Sequence, residues 1–218
     1  MFRLDLHVHT KYSKDCSCSV AEAVKAAKAA GLKGIAITDH NSVGGNAEAA
    51  KLSSKEFLVI PGIEVSSRDG HILGLGISEL IPRDLPAAKT VELIREQGGI
   101  AIAAHPFGLA RKIGSVFKAR FDAIEVFNSR AYFISNGLAR KFAEQNRLPM
   151  TAGSDAHHPD EIGLAGVMMN CELKPETVLK TITRGKTSIF GRCLSPTLYL
   201  QRALRKLVHR HKPIVSSH

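Results

Sequence analysis

Residues 4–10 read LDLHVHT, and this short stretch has the pattern of a β-strand with one polar face. Side chains alternate between the two faces of a strand, so Asp5, His7 and His9 share one face while the leucines and the valine share the other. An apolar face of this kind packs outward against helices, and the two imidazoles then point inward at a spacing that suits one metal ion. On its own the stretch leaves two interpretations open, a metal site and two incidental surface histidines.

The rest of the chain alternates strand-like apolar runs with helical runs. The predicted strands cover 2–8, 33–40, 57–67, 71–77, 100–106, 122–128, 148–152 and 164–170. The predicted helices cover 19–30, 43–53, 85–97, 133–147, 175–184 and 197–210. Such repeated β-α units predict a mostly parallel sheet, which is either a closed barrel or an open doubly wound sheet.

Unusual polar residues distinguish between these two architectures. They stand at the predicted carboxyl ends of six strands, and they are His7/His9, Asp39/His40, Glu64, His105, Glu125 and Asp155/His157. His71 stands at the start of the strand that follows Glu64. The strand ends of a barrel all converge on one mouth, whereas an open sheet brings together only those at a switch point. The pattern therefore favours a barrel.

The donor types in this constellation indicate its chemistry. Imidazoles and carboxylates without a thiolate pair suit Zn, Mn or Fe and argue against a structural cysteine-zinc site. Glu64 stands among apolar neighbours, where a carboxylate must be paired or bound to a cation. The four cysteines form no C-x-x-C pair, which predicts reduced thiols in a cytoplasmic protein. No apolar run approaches the roughly 18 residues of a membrane span, so no membrane partner is expected.

The chain length and the charge distribution predict the domain organisation. A chain of 218 residues suits one substantial domain, and we expect a metal-dependent hydrolase barrel over residues 1–195. We expect a basic helix and tail over 196–218, either packed on the barrel or extending from it. The formal net charge is +10, and six Lys or Arg residues but no acid follow from Arg192 onward. This balance is typical of a protein with an anionic partner, a phosphate or a nucleic acid, and also of a solvated basic helix.

Five motifs resemble, in order, those of the PHP (polymerase and histidinol phosphatase) family. They are D-L-H-V-H-T at 5–10, T-D-H at 38–40, G-I-E at 62–64, H-P at 105–106 and G-S-D-A-H at 153–157. The resemblance spans almost the whole chain and implies the family fold, an α/β distorted (β/α)7 TIM-like barrel. Within the family, the chain is similar to the small stand-alone phosphoesterases.

The resemblance also implies a cluster of two or three divalent metal ions. The first ion would be held by His7, His9, Glu64 and Asp155. Glu64 would bridge to a second ion, which would be completed by His71 and His105. The third ion would be held by Asp15, His40 and His157. The loop that carries Asp15 also offers Cys16 and Cys18, so two kinds of donor compete for that position.

The implied activity is that of a metal-dependent phosphoesterase acting on a phosphomonoester or a nucleotide, by attack of a metal-bridging hydroxide. Glu64, Asp155 and His157 are the expected catalytic residues. Cations that follow strand ends are candidates to bind the substrate phosphate, and they are Arg68 and Arg130, with Arg111 and Lys112 beside them. Carboxylates and an amide are expected to support the ligands by hydrogen bonds, and they are Asp5, Asp39, Glu125 and Asn128. Asp5 in particular is expected to orient an imidazole N–H.

Three other functions remain open at this point. The same cluster serves an exonuclease or oligonucleotide-trimming enzyme, with the basic C-terminal segment as the nucleic-acid contact. It also serves a metal-stabilised scaffold without catalysis. Carbon–nitrogen hydrolysis shares the His-x-His chemistry, but it normally needs a barrel lysine that the sequence does not clearly offer.

Overall fold

The computed structural model describes residues 1–108, 118–195 and 197–198. Within these ranges the strands are β1 (Phe2–Val8), β2 (Gly34–Ile37), β3 (Leu58–Ser66), β4 (His71–Leu75), β5 (Ile100–Ala103), β6 (Ala123–Asn128), β7 (Met150–Gly153), β8 (Ala165–Met169) and β9 (Ser188–Gly191). The helices are α1 (Val20–Ala29), α2 (Asn46–Leu52), α3 (Ala87–Glu96), α4 (Phe133–Gln145) and α5 (Pro175–Thr183). Arg111, Lys112 and the predicted basic helix from residue 199 onward lie outside the described residues.

Local sequence signals explain where α1 begins and ends. The Ser19 side chain accepts a hydrogen bond from the Glu22 backbone N–H, and the Glu22 carboxylate accepts one from the Ser19 N–H at 2.8 Å. This reciprocal pair satisfies two N–H groups that a helix start leaves without partners. Gly31 follows the helix with a φ of 72°, a left-handed conformation that glycine adopts without steric cost. Ser19 and Gly31 thus account for the bounds of the helix predicted over 19–30.

The nine strands form a sheet that is nearly closed into a barrel. Their order is β7-β6-β5-β4-β3-β2-β1-β8-β9. The seam lies between β1 and the segment after β7, where Val8 forms a parallel bridge with Ala156. The His9 backbone N–H also donates to the Ala156 carbonyl at 2.9 Å. The predicted α/β barrel is confirmed, and β9, a short and partly exposed strand, is an addition that the sequence pattern does not predict.

The strand directions are more mixed than a uniform series of β-α units. Strands β4 and β8 run opposite to the other seven, so four of the eight strand pairs are antiparallel. The reversal of β4 has a simple cause, because only residues 67–70 separate it from β3 and a parallel connection needs a dozen residues or more. The expectation of a mostly parallel sheet is therefore corrected. The consequence is that His71, at the amino end of β4, lies beside the carboxyl end of β3.

Alternation along β1 divides its side chains as the sequence predicts. Leu4 and Leu6 belong to an apolar core cluster that includes Val178 and Ile182 of α5. His7 lies on the other face and is fully buried. The barrel thus packs apolar residues against its helices and keeps polar residues for one end of its interior. None of the helices within the described ranges is both long and apolar enough to cross a membrane.

Candidate metal centre

The structure brings the nine predicted ligands together at one end of the barrel. They are His7, His9, Asp15, His40, Glu64, His71, His105, Asp155 and His157. Each has a side-chain nitrogen or oxygen within 3.5 Å of such an atom in another member. Six imidazoles and three carboxylates therefore meet in one place, although they are spread over residues 7–157 of the sequence. We call this set the histidine cluster.

Glu64, at the end of β3, lies at the centre of the histidine cluster. Its Oε1 is 2.8 Å from His71 Nδ1 and 3.0 Å from His105 Nε2. Its Oε2 is 2.8 Å from His40 Nδ1 and 3.5 Å from the Nε2 atoms of both His7 and His9. The side chain is fully buried. One carboxylate thus presents each of its oxygens to a different set of imidazoles, which is the arrangement needed to bridge two cations.

Three polar atoms at the centre of this arrangement have close polar neighbours, but none of these neighbours is in hydrogen-bonding geometry. Among the described residues, His7 Nε2, His9 Nε2 and Glu64 Oε2 are buried and have no partner in hydrogen-bonding geometry. Leaving such an atom unsatisfied costs about 1–3 kcal/mol, and native proteins rarely do so without a reason. These atoms lie within 4.8 Å of one another, so a single cation can contact all three. The residues present therefore fit a divalent metal ion.

Three more groups of donors in the cluster can each surround an ion. They are His7/His105/Asp155, Glu64/His71/His105 and His9/His40/His157. An imidazole nitrogen has one lone pair, so that nitrogen of a histidine shared by two groups can serve only one ion at a time, whereas the two oxygens of Glu64 can serve two. The groups fit the predicted first and second ions and most of the predicted third, and the assignment of each ligand remains a proposal.

The loop after β1 offers two kinds of donor for the third ion, and only the carboxylate faces the cluster. Asp15 Oδ2 is 3.1 Å from His157 Nε2 and 3.9 Å from His40 Nε2. The Cys16 thiol instead donates to the backbone carbonyls of His9 and His157, at 3.4 and 3.2 Å. Burial raises the pKa of the Cys16 thiol to about 12, which disfavours the thiolate that a metal requires.

Carboxylates and carbonyls orient two of the imidazoles. His7 Nδ1 lies 2.9 Å from Glu125 Oε1, so an N–H at Nδ1 donates to Glu125 and Nε2 keeps its lone pair for the cluster. His157 Nδ1 lies 2.9 Å from the Asp155 carbonyl, with the same result. Glu125 Oε2 also accepts from the His105 N–H at 2.8 Å and from the Asn128 amide at 3.0 Å. Glu125 and Asn128 thus take positions suited to their predicted supporting roles.

The position of Asp5 requires a correction. Its Oδ1 accepts from the backbone N–H groups of His7 at 3.3 Å and Ser154 at 2.9 Å, and its Oδ2 accepts from Gly163 N–H at 2.9 Å. Asp5 therefore fixes backbone segments that adjoin ligands instead of orienting an imidazole, and Glu125 does the latter for His7. Burial raises the pKa of Asp5 to about 6, although these hydrogen bonds oppose the shift.

Asp39 supports the cluster through a serine that sequence reasoning missed. Asp39 Oδ1 accepts from the Thr10 N–H at 2.6 Å and from the Ser13 hydroxyl at 2.8 Å, and Oδ2 accepts from the Thr10 hydroxyl at 2.7 Å. The Ser13 oxygen lies 3.0 Å from His9 Nδ1. The only signal in the sequence is a hydroxyl residue four positions after His9, which is too common to single out.

Each of the two arginines predicted to bind the substrate phosphate has a partner outside the histidine cluster. Arg68 is exposed, and its Nε donates to the Asp84 carbonyl at 3.0 Å. Arg130 Nη1 lies 3.2 and 3.3 Å from the two carboxylate oxygens of Glu161, which is buried. Glu161 also accepts from the His157 N–H at 2.7 Å. Arg130 therefore supports the loop of His157 through Glu161, a residue that sequence reasoning did not identify.

The cluster holds ionised carboxylates. Burial acts against a charge on His7, His40 and His105, but the neighbouring carboxylates raise the pKa of all three imidazoles. Burial alone would raise the pKa of Glu64, but the surrounding His71 and His7 hold it well below its ordinary value. Burial likewise acts against ionisation of Asp155, and His7 and His9 hold its pKa well below the ordinary range. Burial lowers the pKa of His9 to about 3, so this imidazole is neutral and keeps a lone pair. Ionised carboxylates and a neutral imidazole are the forms that bind cations.

The backbone is strained at two of the ligands. His105 has a φ of 28° and Asp155 a φ of 55°, in the left-handed region that non-glycine residues seldom adopt. Such conformations cost on the order of 1–3 kcal/mol and cluster at functional sites. Two residues before Asp155, Gly153 allows β7 to approach β1, because a Cβ there would collide with the His7 Cβ and lie 3.0 Å from Glu125 Oε1.

The fold and the site together define the class of this protein. It is a nearly closed α/β barrel that carries a cluster of histidines and carboxylates at one end. The sequence profile of the family described as PHP-associated matches residues 133–187. The uncharacterized protein MJ1587 of Methanocaldococcus jannaschii is 40% identical over 141 residues, which are 58% of this chain and 82% of that protein. The chain belongs to the PHP family, and the predicted family is confirmed.

Three further similarities involve proteins with more informative names. A 3',5'-nucleoside bisphosphate phosphatase of Chromobacterium violaceum is 36% identical over 101 residues, 44% of this chain and 34% of that protein. A two-domain protein of Bacteroides vulgatus that contains a predicted PHP-like metal-dependent phosphoesterase matches with a TM-score of 0.70 at 18% identity, over 88% of this chain and 65% of that one. The lesion-specific endonuclease PfuEndoQ of Pyrococcus furiosus matches with a TM-score of 0.67 at 21% identity, over 98% of this chain and 67% of that one. These structural matches show the shared fold.

Proposed function

We propose that the protein is a metal-dependent phosphoesterase that hydrolyses a phosphomonoester or a nucleotide. The observation that carries the proposal is the set of three buried atoms without hydrogen-bond partners, His7 Nε2, His9 Nε2 and Glu64 Oε2. A cation accounts for their burial, and two or three divalent ions of Zn, Mn or Fe suit the mixed nitrogen and oxygen donors. Membership of the PHP family supports the same chemistry.

We assign the donors at the mouth of the barrel to three ions. In this proposal Glu64, His7, His9 and Asp155 would hold one ion, and Glu64 would also serve a second ion together with His71 and His105. Asp15, His40 and His157 would hold a third. When bound, divalent ions act as Lewis acids that activate water and stabilise the charge that develops on a phosphoryl group.

The chain's own residues prepare this site in advance. Glu125 and the Asp155 carbonyl hold the rings of His7 and His157, so their Nε2 atoms face the cluster without reorientation. Asn128 donates to Asp155 Oδ2 at 3.3 Å and to Glu125 Oε2 at 3.0 Å, which links the two carboxylates. Preorganised groups of this kind need no rearrangement during a reaction, and Glu64, Asp155 and His157 are the residues on which we expect activity to depend most.

Two features favour a nucleotide among phosphorylated substrates. The protein carries a formal net charge of +10, which attracts polyanions. The similarity to a nucleoside bisphosphate phosphatase covers 101 residues at 36% identity. We therefore infer a small phosphorylated molecule, a nucleotide in particular, as the partner of the site.

The test is hydrolysis of an aryl phosphate, nucleoside monophosphates and nucleoside 3',5'-bisphosphates, each with added Zn²⁺ or Mn²⁺. Asp155→Asn is expected to lower metal-dependent turnover by at least about 10- to 100-fold, because it removes a ligand charge and even the loss of a group that only supports a ligand costs that much. Asp84→Asn is the matched control, since Asp84 also has a left-handed backbone, with a φ of 62°, but lies on an exposed loop. Turnover that survives Asp155→Asn, or the absence of turnover with every ester, contradicts the proposal.

A nuclease is the second candidate function. The charge of the chain favours it, and PfuEndoQ, which shares the fold, is an endonuclease. A labelled oligonucleotide assay, run with the full chain and with Arg202→Glu/Arg205→Glu, separates the two functions. Oligonucleotide cleavage that is lost in the charge-reversed variant, with aryl phosphate hydrolysis unchanged, supports the nuclease. Bound metal without any hydrolysis supports a metal-stabilised scaffold instead.

A further inference from the structure

The hydroxyl of Ser13 joins three groups at the edge of the histidine cluster. Its oxygen lies 3.0 Å from His9 Nδ1, 2.8 Å from Asp39 Oδ1 and 2.9 Å from the backbone nitrogen of His40. The serine itself is buried, with 1% of its surface exposed. A hydroxyl has one proton to donate and two lone pairs to accept with, so three partners satisfy it completely.

The direction of each hydrogen bond follows from the groups involved. A backbone N–H can only donate, so the His40 N–H donates to Ser13. Asp39 is surrounded by the Thr10 N–H, the Thr10 hydroxyl and Ser13, and a carboxylate accepts from all three. The single Ser13 proton therefore goes to Asp39. The remaining lone pair of Ser13 must accept a proton from His9 Nδ1, since an oxygen without a free proton has nothing to donate to the ring.

We propose that Ser13 is a positioning residue that holds His9 in the tautomer protonated at Nδ1, with Nε2 free to bind a metal ion. The inference rests on the metal-binding role proposed above for the histidine cluster. His9 Nε2 faces two carboxylate oxygens, Asp155 Oδ1 at 3.1 Å and Glu64 Oε2 at 3.5 Å, but neither is in hydrogen-bonding geometry with it. Its lone pair is therefore the one that the cluster needs, because a cation can lie between this nitrogen and the two carboxylates. Glu125 accepts the Nδ1 proton of His7 with a carboxylate oxygen. Ser13 accepts the Nδ1 proton of His9 with a neutral hydroxyl oxygen, and the hydroxyl proton goes to Asp39.

The position of Ser13 gives it influence over more than one ion. His9 belongs both to the group with His7 and Glu64 and to the group with His40 and His157. The same hydroxyl also holds the backbone of His40, a member of the second group. Loss of the hydroxyl therefore releases one imidazole and loosens another ligand, and we expect the weaker of the bound ions to be affected most.

The experiment compares Ser13→Ala with Ser129→Ala. Ser129 is a matched control because its hydroxyl is also buried but has no hydrogen-bond partner among the described residues. The first measurement is the tautomer of His9 in the zinc-free protein, from long-range correlation spectra of ¹⁵N-labelled ring nitrogens, with the His9 signals assigned by their loss in His9→Gln. The second is zinc affinity by competition with a chelator. Ser13→Thr, which keeps the hydroxyl, tests rescue.

We expect wild type, Ser129→Ala and Ser13→Thr to show His9 protonated at Nδ1, and Ser13→Ala to show a mixture of tautomers. Zinc affinity in Ser13→Ala should fall about 10- to 100-fold, the usual effect of removing a group that orients a ligand. If Ser13→Ala does not fold, Ser13→Cys provides the comparison, since a thiol is of similar shape but a weak hydrogen-bonding partner. A His9 tautomer that is unchanged in these variants overturns the proposal, whatever the zinc affinity.

Neither the His9 tautomer nor the zinc affinity depends on hydrolysis. The experiments can therefore contradict the role of Ser13 without contradicting the proposed function, and the reverse. A mixed His9 tautomer in Ser13→Ala, in a protein that hydrolyses no ester, supports the role of Ser13 and contradicts the phosphoesterase. Metal-dependent hydrolysis in a protein whose Ser13→Ala variant keeps the His9 tautomer supports the phosphoesterase and contradicts the role of Ser13.

Discussion

Replacing Gly153 by alanine tests the seam at which the barrel closes. A Cβ at this position would collide with the Cβ of His7 and would lie 3.0 Å from both His7 N and Glu125 Oε1. His7 is fully buried and the three groups are tightly packed, so the added methyl group can be accommodated only by moving β1 away from β7. Overpacking of this kind typically costs about 1–3 kcal/mol.

The expected loss of stability corresponds to a decrease in the melting temperature, Tm. For a chain of 150–250 residues, about 1 kcal/mol corresponds to roughly 2–4 °C, so Gly153→Ala should lower Tm by about 2–12 °C. The displacement also pulls apart His7 and Glu125, which lie 2.9 Å from each other through Nδ1 and Oε1. Zinc affinity should therefore fall together with stability, because the imidazole loses the group that orients it.

Thermal unfolding followed by circular dichroism, in chelator and in zinc, is the assay. Gly137→Ala is the control, since a Cβ there meets no atom within 4 Å and the glycine lies inside α4. Alanine is favoured over glycine inside a helix by up to about 1 kcal/mol, so this variant should gain stability. A Gly153→Ala protein with a Tm at or above that of the wild type would refute the account of the seam.

Three further predictions follow from the contacts of the cluster. Glu125→Gln leaves one accepting oxygen where the carboxylate has two, and one oxygen cannot serve His7 on one side and both His105 N–H and Asn128 on the other. Zinc affinity, measured by chelator competition, should therefore fall about 10- to 100-fold. An unchanged affinity would show that Glu125 does not orient His7. Arg130→Met leaves the buried Glu161 without this cation and should lower the free energy of unfolding in urea by about 1–3 kcal/mol, whereas Arg83→Met, in an exposed pair, should change little. Zinc at about 100 times its Kd should add roughly 2.7 kcal/mol per ion, or about 5–11 °C in Tm, and EDTA should remove the gain.

The barrel and the meeting place of the ligands are predictable because both depend on local periodicity. The alternation of residues 4–10 places His7 and His9 on one face whatever surrounds them. Polar residues at the ends of apolar runs then mark one edge of the sheet, and parallel strands bring those ends together. Seven of the nine donors follow from these two regularities. His71 stands at the start of its strand, and Asp15 is predicted only from the family resemblance.

The supporting contacts are not predictable in the same way, because they join residues that are distant in sequence. Asp5 reaches Ser154 and Gly163 across the seam of the barrel, so its partners are defined only when β1 and β7 meet. Glu161 stands in a polar stretch that the sequence presents as an ordinary surface turn, yet its carboxylate is buried against His157 and Arg130. For the same reason the partners of Arg68 and Arg130 could not be predicted from their places after strand ends. In the structure Arg68 donates to the Asp84 carbonyl and Arg130 to Glu161, and their contact with a substrate phosphate stays a prediction.

The reversal of β4 also has a consequence for the order in which the site assembles. Glu64 and His71 are seven residues apart, and a hairpin brings them together on a timescale of roughly 1–10 μs. His7 and Asp155 are 148 residues apart in sequence, and pairing them carries the larger entropy of closing a long loop. We therefore expect one half of the ligand shell to form early and locally. The seam between β1 and the segment after β7 would then close the barrel and complete the shell in a single late step.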